Sequence, residues 1–267
     1  MTQRVCVAGS GGRMGRTLIE ALMDDPDLTL CAALEHPASP LIGHDAGELL
    51  GWKSGVCISA DIQAQLEQSE VLIDFTRPDA SLQHLELCRR KGVNAVIGTT
   101  GFAEQQKRLI EEAGRDIAIV FAPNMSVGVN VMLRLLEVAA RALEEGYDIE
   151  IIEAHHRYKV DAPSGTALKM GEIVAQASGR PFTENALYAR QGHTGERRAD
   201  TIGFATVRGG DIVGEHTVMF AGIGERLEIT HRATSRSNFA TGALRAARFL
   251  ADKRRGLYDM QDVLGLR

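Results

Sequence analysis

Glu150-Ile151-Ile152-Glu153-Ala154 runs directly into His155-His156-Arg157-Tyr158-Lys159, and Asp161-Ala162-Pro163-Ser164-Gly165-Thr166-Ala167 follows. An apolar run that ends in two imidazoles and a lysine suits proton transfer, because imidazole titrates near neutral pH. Pro163-Ser164-Gly165-Thr166 has the composition of a helix head, whose free N–H groups attract a carboxylate or phosphate. Lys159 adds a second positive group. Each residue also has a plain structural use: Ser164 as an N-cap, Lys159 as a solvated charge, a single histidine as an exposed side chain. Only their grouping points to an acid–base site for a small anion. Paired histidines can also bind metal, but no HExxH and no suitable Cys/His spacing occurs, so no metal is expected.

A second group lies near the start. Gly9-Ser10-Gly11-Gly12-Arg13-Met14-Gly15 follows a short apolar run and opens an amphipathic stretch. Glycines there allow a tight turn and let backbone approach a pyrophosphate at a helix N-terminus. Glu35 closes the next apolar run, twenty residues after Gly15 (35 minus 15), where an acid binds the ribose hydroxyls of NAD. A glycine turn also serves simple strand–helix packing, but loop, flanking elements and spaced acid together favour a dinucleotide. Gly98-Thr99-Thr100-Gly101 and Ala122-Pro123-Asn124-Met125 follow later apolar runs. In an open parallel sheet the ligand lies at such strand ends. Turn or cap roles for Thr99 and Thr100 stay equally open.

These groups need a scaffold. Short apolar runs at 4–8, 28–34, 71–75, 94–97 and 117–121 read as strands, with a weaker one at 56–58. Amphipathic stretches at 13–23, 79–91 and 103–113 read as helices between them. Buried strands alternating with helices predict a doubly wound, Rossmann-type α/β domain over residues 1–126. After Asn124 the pattern changes. A long helix is predicted at 129–143, a strand at 147–154, and longer, partly alternating strands at 202–208, 215–221 and 226–232. This predicts an α+β domain over 127–235 with a mostly antiparallel sheet. A final amphipathic helix at 239–252 could pack back on the first domain, taking residues 236–267 with it; the sequence alone does not decide.

Composition narrows the class. The chain has 267 residues and a net charge of −5, which argues against nucleic acid as the main partner. No apolar run approaches the ~20 residues of a membrane helix, and the first one stops at Gly9, too early for a signal peptide. A cytoplasmic protein is therefore expected. Cys6, Cys31, Cys57 and Cys88 are scattered and read as small buried hydrophobes.

The sequence resembles the dihydrodipicolinate (4-hydroxy-tetrahydrodipicolinate) reductase family nearly end to end. The resemblance is carried by the 7–15 glycine segment, Ile73-Asp74-Phe75-Thr76-Arg77-Pro78, Val96-Ile97-Gly98-Thr99-Thr100-Gly101-Phe102, the 153–167 segment, and Arg190-Gln191-Gly192-His193-Thr194-Gly195-Glu196-Arg197. It implies reduction of a small cyclic dicarboxylate, 4-hydroxy-tetrahydrodipicolinate, by NADH or NADPH with loss of water, in diaminopimelate and lysine biosynthesis. By the same resemblance His155 and Lys159 are the proton-transfer residues, and His156, Gly165, Thr166 and Arg236 contact substrate. Gly9, Ser10, Gly11, Gly12, Arg13, Met14, Glu35, His36, Gly98, Thr99, Thr100, Ala122, Pro123, Asn124 and Met125 fall at cofactor positions. A homotetramer built through the second domain's sheet is also implied. Several relatives carry arginine where this chain has His36, and a neutral imidazole is a weaker phosphate partner than guanidinium. NADH is therefore expected to serve at least as well as NADPH. Another two-domain amino-acid dehydrogenase, or a non-catalytic dinucleotide sensor, would need the glycine loop but not the 155–166 segment.

Overall fold

The computed structural model describes residues 2–267. The chain forms two compact units: the residues up to Val127 together with Arg236–Arg267, and Gly128–Ser235.

The first unit is built from β1 (Gln3–Ala8), α1 (Arg13–Met23), β2 (Leu28–Leu34), β3 (Ile58–Ser59), α2 (Ile62–Glu67), β4 (Val71–Asp74), α3 (Pro78–Lys91), β5 (Asn94–Ile97), α4 (Glu104–Ala113) and β6 (Ala118–Phe121). The second unit carries α5 (Val127–Ala142), β7 (Asp148–His155), α6 (Gly165–Ala177), α7 (Phe182–Asn185), β8 (Ala186–Leu187), β9 (Ile202–Arg208), β10 (Gly214–Ala221) and β11 (Arg226–Ala233). The chain then returns to the first unit with α8 (Ser237–Leu250), β12 (Gly256–Tyr258) and α9 (Met260–Leu264).

The first sheet is wholly parallel, in the order β12-β6-β5-β4-β1-β2-β3. Its central strands β1, β4 and β5 are apolar along most of their length, as in Val5–Ala8, Val71–Ile73 and Ala95–Ile97, because both faces are covered. Val5, Val7, Val71, Ile73 and Val96 pack on one side with Leu18 and Ile19 of α1 and Ala243 and Ala247 of α8. Cys6, Ala8, Leu72, Ala95 and Ile97 pack on the other with Leu66, Leu85, Cys88 and Ile110 of α2, α3 and α4. Alternate residues of each strand thus feed opposite cores. Of the four free cysteines, Cys6 and Cys88 are buried and their thiols are pushed up chiefly by burial. Cys57 is instead exposed, so the buried reading fails there. Its strand is only the two residues Ile58–Ser59, and Cys57 lies before it, in an isolated bridge to Asp45.

The second sheet runs β11-β10-β7-β9-β8. Its inner face, with Ile149, Ile151, Ile202, Phe204, Val218 and Phe220, packs on Met132 and Leu136 of α5 and Met170 and Val174 of α6. The sheet is mixed rather than mostly antiparallel. β10 pairs antiparallel with β7 and β11, whereas β9 pairs parallel with β7 and β8. The cause is the return through α6, which brings the chain back to the sheet in the direction of β7, as a crossover helix must. No helix among the described residues is long and apolar enough to cross a membrane.

Candidate active site

Along β7 the inward positions are Ile149, Ile151, Glu153 and His155, so the core face turns polar over the strand's last two inward residues. Glu153 is 1% exposed, and a carboxylate that deep must be paired. Arg208, at the end of β9, supplies a two-pronged pair, with Nη1 donating to Oε2 and Nη2 to Oε1, both at 2.8 Å. The Ser164 amide donates to Oε1 at 3.0 Å, and His155 Nδ1 lies 2.6 Å from Oε2. Burial alone would raise the Glu153 pKa; the bonds from Arg208, His155 and the Ser164 amide outweigh it and lower it. An ionised carboxylate only accepts, so His155 Nδ1 carries a proton and Nε2 is the atom left for chemistry. A Cβ added at Gly214 would stand 3.1 Å from His155 Nε2, so glycine there leaves room beside that nitrogen.

Ser164 caps α6: its Oγ accepts the Ala167 amide at 3.2 Å, and it lies 3.1 Å from His216 Nε2 on β10. His216 is buried, with its ring centroid 5.1 Å from that of His155. Burial first, then the neighbouring His155, brings its pKa down to about 4. The pKa of His155 is also lowered, chiefly by burial and then by Lys159 and Arg208, with Glu153 opposing. Gly165 opens the first turn of α6, and nothing lies within 4 Å of the place a Cβ would take. Lys159 Nζ donates to Asp161 Oδ1 at 2.8 Å. His156 Nδ1 is buried without a hydrogen-bond partner, and its ring lies 6.3 Å from Tyr158. His155, Ser164 and the head of α6 therefore stand together. Arg236 is in the first unit, as the N-cap of α8, with the Phe239 amide donating to its carbonyl.

In the first unit the 9–15 segment turns through Gly9 at φ +67° and leaves Gly12 at the head of α1 with no side-chain cap. A Cβ at Gly15 would strike the Gly9 carbonyl, so the helix can lie against the loop only with glycine there. Ser10 is buried and its hydroxyl has no hydrogen-bond partner. An uncapped helix head behind a loop of glycines, with an orphaned hydroxyl, fits the diphosphate of a dinucleotide. Glu35 accepts the Gly11 amide at 2.8 Å and the His36 amide at 2.9 Å, which fixes its carboxylate against the loop. Arg13 and His36 are exposed. The Ala122 amide donates to the Ile97 carbonyl, tying the start of the 122–125 segment to the end of β5. Within that segment Asn124 Oδ1 accepts the Ser126 amide, Met125 is buried and Pro123 is exposed.

At the end of β5 the Thr99 hydroxyl contacts Ser81 Oγ at 2.8 Å and donates to Asp74 Oδ1 at 3.2 Å, while Thr100 is exposed. The side chain of Thr99 thus serves a buried network. Asp74 is its hub, also accepting from Thr76 and lying 2.7 Å from His84 Nδ1.

Sequence reasoning did not single out Arg208, His216 or Asp74 as working residues. The available signal was Glu153, which takes an inward position two residues before His155. A charge at that period demands a partner that local spacing cannot identify.

Residues 3–125 match the family described as dihydrodipicolinate reductase, N-terminus, and residues 128–264 match dihydrodipicolinate reductase, C-terminus. The chain is 65% identical over 263 residues to 4-hydroxy-tetrahydrodipicolinate reductase of Nitrosomonas eutropha, covering 98% of each. It is 65% identical over 266 residues to the enzyme of that name from Nitrosospira multiformis, covering 100% of this chain and 99% of the relative. Among solved structures it is similar to a dipicolinate-bound dihydrodipicolinate reductase from Paenisporosarcina sp. TG-14, with a TM-score of 0.77 and 27% identity over 98% of this chain and 99% of that one.

Proposed function

The chain belongs to the dihydrodipicolinate reductase family, and from that premise we propose that it reduces 4-hydroxy-tetrahydrodipicolinate to tetrahydrodipicolinate, with loss of water, in diaminopimelate and lysine biosynthesis. It is an NAD(P)H-dependent oxidoreductase with a dinucleotide-binding domain. The observation that carries the substrate reading is His155, held on buried Glu153, beside the head of α6. A proton-transfer group next to a helix N-terminus is what a carboxylate-bearing ring needs. An amino-acid dehydrogenase or a dinucleotide sensor explains the glycine loop and leaves this cluster idle.

When bound, the nicotinamide supplies the hydride. The chain's own residues do the rest. Amides at the head of α1 hold the diphosphate, and Glu35 faces the ribose hydroxyls. Gly165 and Thr166 offer backbone N–H groups to a substrate carboxylate, and His156 adds a polar contact. His155, through Nε2, and Lys159, through Nζ, exchange the proton that accompanies reduction. Lys159 leaves Asp161 to do so. The second unit's sheet, whose outer face shows Ile152 and Val207 at 40% and 49% exposure, is the face through which four copies assemble.

The test is NADH or NADPH consumption by the purified chain with substrate generated in situ by its synthase. Absence of consumption with both nucleotides, in a folded protein, would reject the reading.

A further inference from the structure

We propose that Glu153 is the positioning residue of the reaction: through one buried carboxylate it fixes the orientation of His155 and ties that ring to the head of α6. The proposal rests on the function inferred above and adds a residue to it.

Oε2 of Glu153 takes the His155 Nδ1–H at 2.6 Å, and Oε1 takes the Ser164 amide at 3.0 Å. The two oxygens of one side chain therefore set the ring that moves the proton and the residue that caps the helix. Because both bonds share a rigid planar carboxylate, a shift of the helix head would move His155, and the reverse. Arg208 closes the arrangement. Its guanidinium spans both oxygens at 2.8 Å, and its Nη2 also donates to the Asp161 carbonyl at 2.6 Å, anchoring the 156–163 loop that carries Lys159. Such a pair keeps Glu153 ionised in the core, where an unpaired carboxylate would protonate.

Two consequences follow for His155. Its Nδ1 is committed as a donor, so neutral His155 holds its proton on Nδ1 and presents a bare Nε2. Protonated His155 presents Nε2–H with its charge balanced by Glu153. The carboxylate itself takes no proton, as with the buried aspartate that orients the histidine of serine hydrolases. The groups around the pair are Arg208 on β9, Lys159 and Asp161 on the loop after β7, and His216 on β10, which in turn faces His231 on β11. All of them remain when Glu153 is changed, so a displaced pH profile reports on Glu153.

The experiment compares wild type, Glu153→Gln and Glu153→Asp. Glu153→Gln removes the charge and the two-pronged pair. We expect kcat to fall roughly 10²-fold, as for loss of acid–base help, with cofactor Kd unchanged. The limb of the pH–rate profile that reports His155 should move to lower pH by about one unit or more, since a neighbouring anion has been lost. The sign is the same whether His155 acts as acid or base. Glu153→Asp keeps the charge but shortens the reach, so the limb should stay near its wild-type position while kcat is intermediate. A Glu153→Gln enzyme that melts like wild type and keeps both kcat and the limb overturns the proposal. Should Glu153→Gln not fold, the ¹⁵N shifts of His155 in the wild-type protein decide. A protonated Nδ1 with a bare Nε2 supports the proposal, and the opposite tautomer overturns it. That measurement needs no turnover. A wild type inactive toward the dicarboxylate would therefore sink the functional reading without obscuring the outcome for Glu153.

Discussion

Ser164 Oγ and His216 Nε2 stand 3.1 Å apart, so the residue that caps α6 is bonded to a histidine of β10. β10 also pairs with β7, with His216 directly opposite Glu153. The head of α6 is thus held to two adjacent strands, by the Glu153 carboxylate on one and the His216 ring on the other. A charged imidazole in that position would face His155, His231 and Lys159.

His216 should therefore make the protein acid-sensitive well above the range where carboxylates protonate. Its folded-state pKa of about 4 lies below the unfolded value of about 6.5. Between those values the unfolded chain binds a proton that the folded one refuses, so stability falls as pH drops from about 6.5 to about 4 and is unaffected above. The loss is on the order of 3 kcal/mol. His155 and His231, both also lowered, add losses of the same sign. Thermal melts between pH 7.5 and 5 should show the decline, and His216→Asn, which can still bond Ser164, should reduce its slope. An identical slope in the variant would assign the effect to the other histidines.

His155→Ala and Lys159→Ala should each lower kcat by about 10²–10⁴-fold, the range for lost general acid–base help. The cofactor loop lies in the other unit, so nucleotide affinity measured by fluorescence titration should not change. Near-normal turnover in both variants would remove them from the mechanism.

How far the site could be read from sequence depends on how local each part is. The glycine loop, its strand and its helix are contiguous, and the 13–23 helix boundaries agree with α1. His155, Lys159 and Ser164 lie within one ten-residue stretch, 155–164, so their grouping was visible. Arg208 and His216 reach the same spot only because β9 and β10 flank β7, a pairing that no local period encodes. β12 is three residues long and adds to the sheet edge beside β6, below the length at which alternation can be seen. The two parallel pairings of β9 were hidden for a similar reason. They depend on the route through α6 rather than on the composition of the strands.

Gly203→Ala should loosen the 188–201 segment. The Glu150 carboxylate lies over Gly203, where a Cβ would overlap it, and it receives both prongs of Arg190, at 2.8 and 2.7 Å, and Arg197 Nε at 3.0 Å. A methyl group there displaces the anchor of two arginines. Limited proteolysis should cut the variant within this segment faster than wild type. Equal rates would show that the other bonds of Arg197, to Asp148, Ile149 and Thr201, suffice.

Assembly should be tetrameric, with contacts on the outer face of the second sheet. Ile152 and Val207 are apolar side chains on that face, while Thr217 and Thr230 bond across β10 and β11 at 3.0 Å. Ile152→Lys should weaken the tetramer without unfolding the protomer, because the residue is outside the inner core. Light scattering of wild type at assay concentration that gives a monomer would reject the assembly outright.

Cofactor choice should turn on Glu35 and His36. The Glu35 carboxylate is fixed against the glycine loop by the Gly11 and His36 amides, where the adenosine ribose is expected. Ribose hydroxyls donate to such a group, whereas a 2′-phosphate is repelled unless a cation intervenes. His36 is exposed, and its Nδ1 already accepts the Ala38 amide at 3.2 Å, so that nitrogen has no proton to offer. NADH should then serve at least as well as NADPH. His36→Arg places a guanidinium beside the carboxylate and should shift preference toward NADPH by about 1–2 kcal/mol, the scale of a charge-assisted hydrogen bond. The measurement is kcat/KM for both nucleotides in wild type and variant at one ionic strength. A strong wild-type preference for NADPH that survives His36→Arg would place the phosphate on another cation, and Arg13, exposed at the head of α1, is the residue to change next.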